Sequence, residues 1–123
     1  MGKKYRVWDT ASSKMLYGRE AESFVGHHLS YGHALIPIDL MWYTGMRDKK
    51  HKDIYEGDII RDHGGKQWQI IGQLGGVGNW HAIDYKAWAK SKDNVIVLPL
   101  KLWKTTEVIG NICENPDPLL ATA

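Results

Sequence analysis

The amino-acid sequence predicts a mainly β protein: a small barrel-like or sandwich-like single domain, residues 1–123, with about seven or eight short strands and at most one or two short helices. Three observations carry that expectation. Short runs of aromatic, β-branched and aliphatic residues recur along the chain. Clusters containing glycine or proline separate those runs. No long helical pattern alternates with the strands, which argues against a nucleotide-binding α/β sheet. The length suits one ordinary domain, and 43% hydrophobic residues with 6 tryptophans suffice to fill a core.

Taken in order, KYRVWD (4–9) alternates polar and apolar residues, TASSK supplies turn formers and MLYG resumes, which reads as a hairpin. Residues 18–39 show no clean period and carry glycine and proline interruptions, so a loop with at most a short helix is expected there. LMWYT (40–44) is a short apolar run ending on Gly45, and IYEGDIIRD (54–62) is read as one further strand. HGGK makes a glycine turn into QWQIIGQL, where Trp68, Ile70 and Leu74 share one face and Gln67, Gln69 and Gln73 the other. The GGVGN cluster leads into WHAIDY, and KAWAKSKDN holds one helical turn or a loop. VIVLPL contains Pro99, which cannot donate a ladder hydrogen bond and belongs at an edge or strand end. TEVIGNI is the last strand, with Cys113 inside its end, before the turn-rich ENPDPLL.

Composition excludes several classes of function. A net charge of +2 is too balanced to imply nucleic acid or an anionic membrane, so any basic patch must be local. With Cys113 as the single cysteine there is no internal disulfide and no cysteine pair for zinc or redox work, which fits a reducing cytosol. No run approaches the roughly 18 apolar residues of a membrane span, and the start lacks the apolar core of a signal peptide.

The chemistry-bearing residues point to scaffolding. Glu56 and Asp58 lie two apart and would share a face of a regular strand, as a cation or acid–base pair requires. Against a calcium loop, Lys49, Lys50 and Lys52 stand where oxygen ligands are needed. The preferred reading is that Asp48 or Asp53 caps a turn through backbone N–H groups and that Asp58 pins the bend at Gly57. Gly45 and Gly57 are then expected in turns or bulges with positive φ. Tyr43, Tyr55 and Ile59 should be core contacts, and Asp48, Lys49, Lys50 and Lys52 a solvent-facing loop. His27, His28 and His33 have the wrong spacing for a helical zinc pair. The glycine clusters lack the Gly-Lys-Ser/Thr ending of a phosphate loop, and no serine sits in a nucleophile elbow. No metal and no cofactor is expected.

YTGMRDKKHKDIYEGDII together with EVIGNICENPDPLL resembles the YopX family of bacteriophage and prophage proteins, and YRVWDTASSKMLY is similar to the family's opening hairpin. The signature positions are Tyr43, Gly45, Asp48, Tyr55, Glu56, Gly57, Asp58, Gly110, Asn111, Asn115 and Pro116. Departures are Trp42 for a usual Gln, His51 for a common Gly, Cys113 for a frequent aromatic, and an additional Pro118. His51 suggests a wider loop between Asp48 and Asp53 than a tight glycine turn. The resemblance implies a mostly β domain with barrel-like parts, encoded by a phage or prophage and working in the cytoplasm of the bacterial host. It lends no catalytic residue, substrate or cofactor.

The first functional expectation is a non-enzymatic module that binds a host or phage macromolecule, because the tryptophans and tyrosines exceed what so small a core can bury. The alternative is a nucleic-acid-binding small β-barrel. Trp88 and Trp103 are interleaved with Lys86, Lys90, Lys92, Lys101 and Lys104, a pattern that a solvated lysine edge also produces. An enzyme comes third, lacking an announced pocket or convergent polar group. Unpaired strand edges and exposed aromatics further predict a homo-oligomer.

Overall fold

The computed structural model describes residues 4–30, 39–72, 80–90 and 96–114. The chain is mainly β, and the described residues form nine strands in two antiparallel sheets. By contact it falls into two compact units, residues 1–43 and 44–123.

In the first unit, β1 (Tyr5–Asp9) pairs with β2 (Lys14–Tyr17) as the expected hairpin and, on its other side, with the start of β3 (Asp39–Arg47). Asp9 holds the hairpin turn, its carboxylate accepting the Ala11 N–H at 3.1 Å and the Ser12 hydroxyl at 2.8 Å. Tyr5 and Trp42 face each other across the ladder and stack edge to face with centroids 5.7 Å apart. Val7 is fully buried and Arg6 is 3% exposed, the guanidinium reaching the Tyr17 hydroxyl and the Met41 sulfur.

A correction falls between these strands. Gly18–Ser30 is a helix, α1, of 13 residues, where a loop with at most a short helix was expected. Ala21 is fully buried with Phe24 and Val25 half-buried, the i, i+3, i+4 spacing of an apolar stripe. The stripe packs on β1 and β2. Gly26 costs roughly 1 kcal/mol relative to alanine in a helix interior, which that packing offsets.

The second unit contains the rest of β3, then β4 (Asp53–Tyr55), β5 (Asp58–Arg61), β6 (Gln67–Gly72), β7 (Trp80–Ile83), a short helix α2 (Tyr85–Lys90), β8 (Val97–Leu98), a 3₁₀ helix (Leu100–Thr105) and β9 (Glu107–Asn111). Its five-stranded sheet has the order β8-β7-β6-β5-β9, and one of the two sheets forms a half-barrel. Register explains the core. Ile60 lies opposite Trp68, Ile70 opposite Ala82, and Ala82 opposite Leu98, so all five point to one face. Ile54 and Trp103 complete that cluster. Trp103 is fully buried and satisfies its indole N–H on the Leu98 carbonyl at 3.2 Å.

IYEGDIIRD is two strands and not one. Glu56 and Gly57 turn the chain between β4, which lies in the sheet of β3, and β5, which lies in the five-stranded sheet. Gly57 has φ +87, its N–H donates to the Ile70 carbonyl and its carbonyl accepts from Ile112. β3 does not stop at Gly45 but passes through it, also at φ +87, with the Thr44 hydroxyl donating to the Ile54 carbonyl and accepting the Met46 N–H. On β6, Gln67 is buried beside Trp68, so its polar face is covered as well; Gln73 and Leu74 lie outside the described residues. Pro99 follows β8, an edge strand, as its missing N–H demands. Cys113 sits half-buried in a turn after β9 and not inside a strand.

Candidate binding surface

The surface of the second unit is organised by two turns built alike. In the first, Asp48 N–H donates to the Lys52 carbonyl at 2.9 Å and His51 N–H to the Asp48 carbonyl at 3.0 Å. In the second, Asp62 N–H donates to Lys66 at 2.8 Å and Gly65 N–H to Asp62 at 3.0 Å. The fourth residue of each has positive φ, +63 for His51 and +89 for Gly65. That is a three-residue hairpin connection closed by one left-handed residue. The loop at His51 is therefore as tight as the glycine turn, not wider. Histidine, like asparagine, enters this region more readily than most side chains.

Each turn is pinned by its aspartate. The Asp48 carboxylate accepts the backbone N–H groups of Lys50 and Lys52 at 2.8 Å and, through its other oxygen, that of Val108 at 2.9 Å. It is 3% exposed, which confirms turn capping and corrects the expectation that Asp48 faces solvent. Asp62 accepts the Lys66 N–H and the Trp68 indole N–H, both at 2.9 Å. Burial pushes the Asp62 carboxyl up, but those hydrogen bonds and the Lys66 charge outweigh it and hold it below the usual range. The same balance lowers Asp84: burial is opposed by the Lys66 ammonium at 2.9 Å and by the Ala87 N–H. The Lys66 ammonium also stands 4.7 Å above the Trp68 ring.

The remaining described signature residues occupy turns, the core or strand positions. Asp58 is buried and accepts the Tyr55 N–H at 2.7 Å, pinning the Gly57 bend. Asn111 caps the turn after β9, its side-chain oxygen accepting from Cys113 and Glu114. Tyr55 and Ile59 are core residues, and Tyr43 is half-buried under the Lys4 ammonium. Glu56 sits in the turn and does not share a regular strand face with Asp58. Gly110 lies in β9 opposite Ile59, beside a register shift. Asn115 and Pro116 lie outside the described residues. Among the described residues no three of His, Cys, Asp and Glu gather in a way that could hold a metal ion.

The charges of the first turn point outward. Lys49, Lys50, His51 and Lys52 are all exposed. Glu107 lies between Lys50 and Arg61, its carboxyl held low and the Lys50 ammonium held high by their hydrogen bond. Arg47 pairs with Asp53 at 3.0 Å.

Of the residues named for nucleic-acid contact, Lys90, Lys101 and Lys104 are exposed, as is Lys86. Trp103 is not available: it is a core residue and cannot stack on a base. The Trp88 side chain and Lys92 lie outside the described residues.

What the sequence reading missed is a group of exposed apolar side chains on and beside β8, the β8 ridge. Ile96 is 42% exposed, Val97 47%, Leu100 51% and Leu102 40%. Of the described residues of VIVLPL, Val97 and Leu98 join the ladder, and Leu98 takes the core face while Val97 takes the other. Pro99 is the signal, since it ends the strand and moves the following leucines onto a helical turn. That turn repeats every three residues, so Trp103 turned inward leaves Leu102 on another side.

No described helix is long and apolar enough to cross a membrane. Among curated proteins none matches the sequence. Among solved structures the chain is similar to the crystal structure of protein EF1440 from Enterococcus faecalis, with 19% identity, 97% of this chain and 99% of that chain covered, and a TM-score of 0.56. At that identity the likeness bears on the fold. The family model described as YopX protein matches residues 4–120, a span that includes the Asp48 turn, the Gly57 bend and the Asn111 cap. The chain belongs to the YopX family.

Proposed function

We propose that the chain is a non-enzymatic macromolecule-binding module, carried by a phage or prophage and acting in the bacterial cytoplasm, that takes a polypeptide partner on the β8 ridge. The supporting observation is the exposure of Ile96, Val97, Leu100 and Leu102 on and beside an edge strand. A sheet edge offers unpaired backbone groups, and apolar side chains beside it supply the area that such an encounter buries. Lys101 and Lys104 border the ridge and give it the polar rim of an interface. The buried Trp103 weighs against a nucleic-acid partner at this place, because stacking on that residue is lost.

A pull-down of the tagged chain from phage-infected or prophage-bearing cells, with and without nuclease, tests the reading. It predicts nuclease-resistant recovery of a protein that the Leu100→Lys/Leu102→Lys variant fails to recover while melting normally. Recovery of nothing but a second copy of the chain would make the ridge a homo-oligomer interface. Equal recovery by both forms, or recovery abolished by nuclease, contradicts the proposal.

A further inference from the structure

We propose that the turn carrying Lys49 and Lys52, together with Lys104 of the 3₁₀ helix, is a binding surface for the sugar–phosphate backbone of nucleic acid, without base selection. The surface shares Lys104 with the rim of the β8 ridge, but it is argued from charge and does not depend on the reading given to that ridge.

The argument starts from which charges are spent. Lys50 and Arg61 share Glu107, and Arg47 is paired with Asp53. The acid of the turn itself, Asp48, is buried, and its two oxygens are taken up by the N–H groups of Lys50, Lys52 and Val108. Lys49, Lys52 and Lys104 are exposed and have no carboxylate within ion-pair distance among the described residues. The backbone brings them to one corner: Lys49 N–H donates to the Thr106 carbonyl at 2.8 Å, and Thr106 N–H donates to Trp103 at 3.0 Å, bracketing Lys104. A chain of net charge +2 thus brings three exposed lysines without an ion-pair carboxylate among the described residues near one another along the backbone, Lys49 acting only at longer range on Glu107.

The chemistry of this corner selects the partner. Lysine ammonium groups are point charges suited to phosphate oxygens. Here they are spread over a turn and a helix and do not converge on a pocket, which suits successive phosphates better than one. Residues 49–53 include no apolar side chain, so the turn has nothing to insert into a bilayer, and its one ring, the exposed His51 imidazole, offers a stacking face that does not discriminate between bases. Contacts limited to phosphates position a protein without reading sequence. Asp48 and the left-handed His51 fix the turn beforehand, so binding orders only the side chains.

Fluorescence anisotropy with two labelled DNA duplexes of unrelated sequence tests this, using the full chain, Lys49→Gln/Lys52→Gln/Lys104→Gln, the corresponding triple arginine variant, and Lys14→Gln as a control. The expected result is equal affinity for both duplexes, retained by the control and the arginine variant. The glutamine variant should bind about tenfold or more weakly, with a plot of log Kobs against log salt shallower by about 2.7, three contacts at 0.9 each. Failure of the wild type to bind, an unchanged slope in the glutamine variant, or a marked preference for one sequence overturns the proposal. So does equally tight binding to phosphatidylserine vesicles with the same dependence on the three lysines.

Discussion

The Asp48 carboxylate hydrogen-bonds the backbone N–H of Val108 at 2.9 Å, across 60 residues of chain. The same side chain closes its own turn through Lys50 and Lys52, so one aspartate fixes a local hairpin and ties it to the start of β9. The Lys49 and Lys52 side chains take no part in this. Asp48→Ala is expected to destabilise the chain by about 2–4 kcal/mol, since it strands backbone donors, whereas Lys49→Ala should stay within about 0.5 kcal/mol. Denaturant melts of both variants check the contrast, and a loss from Lys49→Ala as large as that from Asp48→Ala would show the turn to be held differently.

The likeness of the two turns makes His51 a testable residue. At φ +63 a side chain is strained where glycine is not, and Gly65 occupies the equivalent place at φ +89. His51→Gly should therefore stabilise by about 0.5–1 kcal/mol, strain relief exceeding the added chain entropy, and Gly65→Ala should destabilise by about 1 kcal/mol. A drop in Tm for His51→Gly would contradict the assigned conformation.

Much of the fold was legible because it rests on short-range chemistry. The opening hairpin, the glycine turn at 63–66, the strand-ending Pro99 and the turn-capping Asp48 all follow from residues a few positions apart. Asp58 at the Gly57 bend was legible in the same way. Failures came where tertiary packing decides. The α1 stripe of Ala21, Phe24 and Val25 was obscured by the glycines and histidines around it. The break of IYEGDIIRD into strands of two sheets depends on where Ile70 and Ile112 meet Gly57. The burial of Trp103 and the exposure of Ile96, Val97, Leu100 and Leu102 were not legible, because hydrophobicity alone does not say which members of IVLPLKLW face inward.

Acid should unfold the second unit through Asp62 and Asp84. Both carboxyls are held below the usual range in the folded chain, so each contributes stability that is present above the unfolded value of about 3.9 and lost as pH falls through the lower folded value. The expected Tm is nearly flat from about pH 7 to 5 and falls below about pH 4. Asp62→Asn/Asp84→Asn should melt lower at neutral pH and show a shallower acid slope. Parallel profiles for the variant and wild type would remove these two groups from the account.

The central claim, that the β8 ridge is where a polypeptide partner docks, is tested most directly by hydrogen exchange on the full chain before and after addition of the protein recovered by pull-down. The account predicts slowed exchange confined to the amides of residues 96–102, with the Asp48 and Asp62 turns unchanged. Protection elsewhere, with residues 96–102 exchanging as they do in the free chain, would contradict it.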